Sequence, residues 1–393
     1  MHEFHLVDQA CSLLERASGV KLHRDPSAGK VKFLPLGRWK GSLTQEDLPH
    51  QYVQLSDHLD FVGVELRATF QQTRKVNGDQ LQDRVKNTVG PWKAGRFMPL
   101  TLRPFSANTH ALSKVWFKCS SVNLRNQDID TINSQVKSWL YQDCLEKPNE
   151  LVLYRDSQDG GLGLFHVKIR SLALLIRSFI ETASNPMFRH SLFHEILFRY
   201  HVLGDDSLPN PGYLPYYDQE FFQTIKHYND NCPLNISLMT TKQWYRALLE
   251  DRVLMQPAVG DSSAALLPVR VELLMPDHDW PATWSIARTK GLTSDQTAFL
   301  FKLLHQLLPT RERISRITNE QGVCRMCGHA SEDLLHALFT CTESKATADQ
   351  LLSYVYVTVP RLSPPGLLRL DIGSELDETD QLATLCIIST GLK

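Results

Sequence analysis

The sequence has no apolar run of the roughly 18 residues that a membrane-spanning helix needs. Its first residues also lack the basic segment followed by an apolar stretch that marks a secretory signal. Cysteine is scarce, because only 8 of the 393 residues are cysteines. Thiols this few, spread along the chain, do not form the dense framework of a disulfide-stabilised secreted domain. These absences predict an intracellular protein, in the nucleus or the cytoplasm, with no membrane partner.

The sequence also has no large excess of positive or negative charge. Lys and Arg total 42 and Asp and Glu total 43, so the formal net charge is -1. Overall charge therefore gives no argument for a nucleic-acid partner, and such a partner must be inferred from local patches. Hydrophobic residues make up 42% of the chain and charged residues 22%. This composition and length predict a globular protein of two or three domains with substantial cores.

Four soft metal ligands follow one another with the spacing C-x2-C-x8-H-x4-C. They are Cys324, Cys327, His336 and Cys341. Zinc takes four sulfur or nitrogen ligands in a tetrahedron when its role is structural, and two cysteines separated by two residues can face one ion from a tight turn. The motif therefore predicts a structural zinc site.

The residues between the second and third ligands bear on how the site is built. Ser331 is expected to cap a short helix that carries two acidic residues in its first turn and presents His336. His329 is an alternative fourth ligand, ranked below His336 because it comes only two residues after Cys327. Two buried thiols with an unrelated histidine are the alternative to any metal site.

Hydrophobic periodicity predicts mainly helices after a short β-like region. Helical spacing is found at residues 8–17, 81–92, 165–183 and 296–308, and β-like runs at residues 31–36 and 59–66. Glycines at positions 160, 161 and 163 precede the third of these helices. They match neither G-x-G-x-x-G nor a Gly-Lys-Ser/Thr phosphate loop, so they predict a turn where two backbones pass closely.

One region combines positive charge with aromatic residues. Ten basic and two acidic residues lie between Arg67 and Lys118. Phosphate contacts are expected from Arg67, Arg74, Lys75, Arg84, Lys86, Lys93, Arg96 and Arg103. Interleaved aromatic residues such as Trp92 and Phe105 would stack on bases. The alternatives are a solvated helix face for the charges and a core position for the aromatic rings.

Several fragments, in order, resemble the C-terminal half of the reverse transcriptase of non-LTR retrotransposons of the long interspersed element type. Residues 14–22 are similar to the helix and turn after that family's catalytic strand pair, and residues 59–66 to its primer-grip hairpin. Trp92-Lys-Ala-Gly-Arg96 resembles a part of the helical thumb. Gly160-Gly-Leu-Gly-Leu164 before a long helix also matches, as does Leu307-Leu-Pro-Thr-Arg-Glu-Arg313 before the cysteine and histidine motif.

The resemblance implies a fold that is mainly α with a small α+β remnant at the N-terminus. It divides the chain into a palm remnant with a primer-grip-like hairpin (1–76), a helical thumb-like region (77–186), a helical connector (187–309), a CCHC zinc knuckle (310–345) and a C-terminal tail (346–393). It also implies structural zinc as cofactor. The partners it implies are RNA or an RNA–DNA duplex and, as an alternative, the missing catalytic half of the polymerase.

The family's catalytic aspartates have no counterpart in this sequence. Reverse transcriptases hold two magnesium ions with an aspartate on one strand and an Asp-Asp pair on another. The resemblance places these residues before Ala17, where the sequence has no Asp-Asp pair. Tyr200-His-Val-Leu-Gly-Asp205-Asp206 superficially resembles the Tyr-x-Asp-Asp hairpin, but the proline-rich residues after it cannot form the second strand. We therefore expect a surface turn there and predict no catalytic residue.

Three functions remain open at this point. The first is a truncated, reverse-transcriptase-derived protein that binds nucleic acid and zinc without polymerising. The second is the C-terminal part of an active RNA-directed DNA polymerase whose catalytic half is missing from this chain. The third is a helical interaction protein with a structural zinc site.

Overall fold

The computed structural model describes most of the chain between residues 31 and 358. The described segments are 31–36, 41–48, 53–92, 98–142, 150–184, 192–212, 217–232, 234–254, 278–318 and 320–358, with a few isolated positions. Within them the fold is mainly helical, with two small sheets near the N-terminus, and this confirms the predicted class. The helix predicted at residues 8–17 lies almost entirely outside the described residues.

Two short sheets open the described fold. Strand β1 (Val31–Phe33) pairs in parallel with β2 (Val53–Leu55), and β3 (His58–Phe61) pairs in antiparallel register with β4 (Val64–Arg67). The second pair confirms the predicted hairpin at residues 59–66. Its two turn residues, Val62 and Gly63, both have positive φ, at 48° and 80°. Positive φ at both central positions matches the twist of the flanking strands.

The helices follow in chain order. They are α1 (Phe70–Val89), α2 (Arg103–Ser106), a π-helical segment Ala107–Leu112, α3 (Ser113–Cys119), α4 (Asn126–Leu140), α5 (Glu150–Tyr154), α6 (Val167–Ser184), α7 (Leu192–His201), α8 (Gln219–Asn231), α9 (Thr241–Leu249), a π-helical segment Glu250–Leu254, α10 (Trp280–Ile286), α11 (Ser294–Leu304), α12 (Arg311–Thr318), a π-helical turn His336–Thr340 and α13 (Lys345–Thr358). Helices α1, α6 and α11 confirm the helical spacing predicted around residues 81–92, 165–183 and 296–308. None of these described helices is long and apolar enough to span a bilayer.

The described residues fall into two compact units. The first contains residues within Met1–Arg84, Lys114–Ile132 and Arg170–Tyr245, and the second contains residues within Val85–Ser113, Asn133–Ile169 and Arg246–Lys393. Because the chain passes back and forth between them, each unit is assembled from three separate stretches of sequence.

In the first unit, side chains of α1 hold the hairpin. The Asn77 side chain accepts a hydrogen bond from the Glu65 backbone N–H at 3.1 Å and donates one to the Glu65 carbonyl at 2.7 Å. The Thr73 hydroxyl accepts from the Arg67 N–H at 2.9 Å. These bonds satisfy β4 edge groups that a third strand would otherwise pair. The hairpin is thereby tied to α1 without a larger sheet.

In the second unit, a turn at residues 160–163 precedes α6. Gly160 and Gly163 have positive φ, and a Cβ on Gly161 would lie 2.0 Å from the Arg155 carbonyl oxygen. A Cβ on Gly160 would meet the Trp284 ring at 2.3 Å. These separations leave no room for a side chain. The prediction that the glycines mark a close backbone approach is confirmed.

The core of the second unit is rich in aromatic residues. Trp280 and Trp284 stack with their ring centroids 5.7 Å apart, and Leu300 and Leu304 of α11 are buried with them. Phe339, from the turn between two of the predicted zinc ligands, is buried in the same cluster. The ligand-bearing segment is thus part of this core, which positions it against α10 and α11.

Candidate metal centre

The four predicted zinc ligands come together in the fold. One ligand atom from each of Cys324, Cys327, His336 and Cys341 lies within 4.8 Å of the others. The first two ligands lie on a tight turn, closed by a 2.9 Å hydrogen bond from the Gly328 N–H to the Cys324 carbonyl. Gly328 has φ of 75°, a conformation that favours glycine. A two-residue spacing therefore places both thiols on one side of the turn.

The distances between ligand atoms fit a tetrahedron around one ion. The Sγ atoms of Cys324 and Cys341 are 3.8 Å apart. Two thiolates bound at about 2.3 Å from a tetrahedral ion are separated by roughly this distance. The Cys327 Sγ lies 3.2 Å from His336 Nε2, against roughly 3.5 Å in a regular tetrahedron. The cluster could therefore hold a metal ion.

The third ligand is presented by the π-helical turn His336–Thr340. Asp333, not Ser331, caps the helical residues that begin at Leu334 and lead into this turn, because its carboxylate accepts the His336 N–H at 2.6 Å and its carbonyl accepts the Ala337 N–H at 2.9 Å. The predicted capping residue is thus wrong by two positions. The turn closes with a 2.9 Å bond from the Cys341 N–H to the His336 carbonyl, which holds the third and fourth ligands together.

The alternative ligand His329 is not in the cluster. Its ring stacks on that of His336, with centroids 4.6 Å apart and an interplanar angle of 20°. Its Nδ1 lies 2.9 Å from the Ser331 carbonyl oxygen. Its own carbonyl accepts the Cys324 N–H at 2.9 Å. The ranking of His336 above His329 agrees with this geometry.

The backbone around the thiols influences their protonation. Hydrogen bonds from the backbone N–H groups of Glu343 and Ser344 lower the pKa of the Cys341 thiol. The Cys327 N–H acts in the same direction on Cys324, but desolvation opposes it and the pKa of Cys324 is raised to about 11. A thiolate is the form that binds a metal, so uptake of a cation at this site releases protons.

Glu332 connects the ligand segment to α12, a role that was not predicted from the sequence. Its carboxylate accepts the Arg311 N–H at 3.1 Å, and its carbonyl accepts the Glu312 N–H at 3.2 Å. Two N–H groups at the start of α12, which have no partner within the helix, are satisfied in this way. Arg311 and Glu332 are 21 positions apart, so no short-range sequence pattern indicates their contact.

Two of the arginines that were expected to contact phosphates, Arg67 and Arg74, are ion-paired or partly buried. Arg67 Nε donates to the Glu65 carboxylate at 2.6 Å, and its NH1 lies 2.6 Å from Asp57. Arg74 donates to the Leu124 carbonyl at 3.0 Å, and burial lowers the pKa of its guanidinium. Each guanidinium therefore has a structural role within the first unit.

The structure contradicts the expectation for Arg103. This residue is 4% exposed, and its guanidinium donates to the carbonyls of Met98, Leu140 and Gln142 at 2.9, 2.7 and 3.0 Å. Three carbonyl acceptors compensate for the loss of water around the buried charge. Arg103 holds α2 to the end of α4 and cannot reach a phosphate.

Lys118, counted in the same basic region, is also buried. It is 2% exposed and donates to the side chains of Asn77 and Gln80 at 2.9 and 2.5 Å. Desolvation lowers the pKa of its ammonium group. The local charge excess read from the sequence therefore overstates the positive charge on the surface.

Three of the residues that were expected to contact phosphates lie at exposed positions of α1. They are Lys75, Arg84 and Lys86. Lys75 and Lys86 are eleven residues apart, three turns of helix, so they share a face, while Arg84 lies on another side. Exposed Asp79 and Asp83 lie near the two lysines on that helix. Lys93 and Arg96 lie outside the described residues, as does most of the fragment 92–96.

The Asp205-Asp206 pair follows the end of a helix. Tyr200 belongs to α7, and the chain turns at Gly204, which has φ of 70°. The Asp205 carboxylate pairs with Arg199 and accepts the Ser207 N–H at 3.2 Å, and the Ser207 and Arg199 hydrogen bonds lower the pKa of Asp205. The prediction of a surface turn rather than a catalytic strand pair is confirmed.

Comparisons with known proteins add no family assignment. No protein-family model matches the chain, and no curated protein sequence matches it.

Proposed function

We propose that this chain derives from a retrotransposon reverse transcriptase, binds RNA or an RNA–DNA duplex, holds a structural zinc ion and does not polymerise. Support comes from the order of the fragments that resemble this family, and from the Cys3His cluster at the place of the family's terminal knuckle. The cluster carries the proposal, because it joins thiols 17 positions apart at metal-binding distances.

The ligand chemistry favours zinc over other ions. Thiolates are soft ligands, and tetrahedral sets of cysteine and histidine are typical of zinc. Four protein ligands leave no open position for water or a substrate, so the role of the ion is structural. When bound, the ion supplies a cross-link between the turn at Cys324 and the π-helical turn that starts at His336.

The metal content of the purified protein tests this part of the proposal. We expect one zinc per chain, and single changes of Cys324, Cys327, His336 or Cys341 to Ser should abolish stoichiometric zinc. Cys232→Ser is a matched control, because that thiol lies outside the cluster. Full zinc retention by His336→Ser would contradict the ligand assignment.

The nucleic-acid part of the proposal rests on the exposed lysines of α1, Lys75 and Lys86. Each phosphate neutralised by a lysine releases counterions, so the affinity falls steeply with salt. For a labelled RNA or RNA–DNA duplex, Lys75→Glu with Lys86→Glu should lower the log–log salt slope by about 2. A control pair, Lys226→Glu with Lys242→Glu, changes the same charge at exposed positions outside α1. Equal losses in both pairs would count against a site on α1.

Primer extension separates the proposal from the active-polymerase alternative. Two-metal phosphoryl transfer needs carboxylates that hold both ions roughly 4 Å apart. We expect no extension by the chain alone in Mg²⁺ or Mn²⁺. Extension that disappears on changing Asp205 and Asp206 to Ala would overturn this expectation. A helical interaction protein with structural zinc, the third function, would hold the metal and show no salt-dependent binding of nucleic acid.

A further inference from the structure

The ring of His336 is held by few polar contacts. Its Nε2 lies 3.2 Å from Cys327 Sγ, so this nitrogen is the one that would bind a metal ion. Its Nδ1 lies 3.4 Å from the Thr340 hydroxyl, a long contact that restrains ring rotation only weakly. Metal-bound histidines depend on neighbouring groups for their orientation. A further restraint on this ring is therefore needed for a well-formed site.

His329 is placed to supply that restraint. The two rings are nearly parallel at 4.6 Å between centroids, a favourable stacking distance. The backbone of His329 is anchored through its carbonyl to the Cys324 N–H at 2.9 Å, and its Nδ1 contacts Ser331 at 2.9 Å. The ring is thus fixed to the same turn that carries the first two thiols.

We propose that His329 is a positioning residue of the metal centre, which orients the His336 imidazole by stacking and does not bind the metal. This inference rests on the proposed zinc-binding function. Coordination withdraws electron density from the His336 ring, so an aromatic face stacked over it becomes more attractive when the metal is bound. The stacked pair therefore favours the orientation in which Nε2 points at the ion.

Three substitutions separate the possible roles of His329. His329→Phe keeps an aromatic face but cannot bind metal, and His329→Asn keeps a polar group for Ser331 but cannot stack. His329→Ala removes both. His329 is exposed, so all three variants should fold. Zinc affinity is measured by competition with a chromophoric chelator, and ligand geometry from the ligand-field spectrum of the Co²⁺-substituted protein.

We expect His329→Ala and His329→Asn to bind zinc about 10- to 100-fold more weakly than the unmodified chain, with altered Co²⁺ bands. His329→Phe should retain both the affinity and the Co²⁺ spectrum. Unchanged affinity in His329→Ala would overturn the inference, and so would rescue by Asn but not by Phe, which would indicate a loop-anchoring role. Loss of the tetrahedral Co²⁺ spectrum in His329→Phe would identify His329 as a ligand. Failure of the unmodified chain to bind zinc would instead overturn the proposed function itself.

Discussion

His305 Nε2 lies 2.7 Å from the carbonyl oxygen of Gly160, 145 positions earlier in the chain. The imidazole is 3% exposed and stacks on Trp284 at 4.9 Å between ring centroids. Burial is the main cause that lowers the pKa of His305, to about 4. This contact ties the end of α11 to the glycine turn before α6.

The buried His305 predicts a loss of stability in acid. Its pKa is about 4 in the folded chain and about 6.5 when unfolded, so the unfolded state binds more protons between these values. The stabilising contribution is complete above pH 6.5 and is lost as the pH falls towards 4, by on the order of 3 kcal/mol. His305→Gln keeps a donor for Gly160 without a titrating group. In urea unfolding between pH 6.5 and 4, the free energy of unfolding should fall less for His305→Gln than for the unmodified chain. An equal fall with pH in both proteins would show that His305 does not cause the acid sensitivity.

Gly78→Ala should destabilise the protein although it lies within α1. Alanine in a helix interior normally stabilises by about 1 kcal/mol relative to glycine. A Cβ on Gly78 would lie 2.3 Å from an Asp128 carboxylate oxygen, and that carboxylate is fully buried and bound by Arg125 and Gln82. We expect a net loss of about 2 kcal/mol.

A double-mutant cycle checks the cause of this loss. In an Asp128→Ala background the clash is removed, so Gly78→Ala should be neutral or stabilising when urea midpoints are compared. The same loss in both backgrounds would show that the Asp128 contact is not responsible.

Val62→Asn should stabilise the hairpin. Valine is β-branched and is strained at φ of 48°, whereas asparagine is favoured at this position of a two-residue turn. Val62 is also 66% exposed, so little packing is lost. We expect a gain of about 1 kcal/mol in thermal or urea unfolding. Gly63→Ala, at φ of 80°, is the control that should lose stability, and a loss in Val62→Asn would contradict the strain argument.

Arg103→Lys should lower the stability of the fold. Lysine has one donor nitrogen and cannot reproduce the contacts of the guanidinium with three carbonyls. We expect a loss of about 2–4 kcal/mol in urea unfolding. Lys75→Ala, at an exposed position, should change stability by less than about 0.5 kcal/mol. Arg103→Gln removes the charge, so a salt slope that falls with this variant would restore Arg103 as a phosphate contact.

Removal of the metal should be detected by the tryptophans of the second unit. Phe339 is buried in the same cluster as Trp280 and Trp284, so loss of the ion should loosen their packing as well as residues 310–344. We expect a chelator to shift the tryptophan emission to longer wavelength. The shift should be much reduced in a Trp280→Phe, Trp284→Phe variant. Unchanged emission after complete metal loss would instead indicate a knuckle that unfolds by itself.

The features that could be predicted from the sequence are those encoded by spacing along the chain. Two cysteines separated by two residues are brought together by one turn, and His336 and Cys341 by the next, so the ligand set follows from local geometry. The apolar stripes that predicted α1, α6 and α11 likewise depend only on helical periodicity. The close packing at Gly161 was predictable because only glycine has no Cβ.

The tertiary structure decided which charged and polar side chains are exposed at the surface and which are buried. Arg103 and Lys118 belong to the most basic region of the sequence, yet both are buried because carbonyl and amide oxygens from distant segments converge on them. The exposure of a side chain depends on what packs over it, and periodicity along one helix does not contain that information. Other contacts also depend on segments that meet only when the chain folds. They are the stacking of His329 on His336, the bond between His305 and Gly160 and the packing of Phe339 in the tryptophan core.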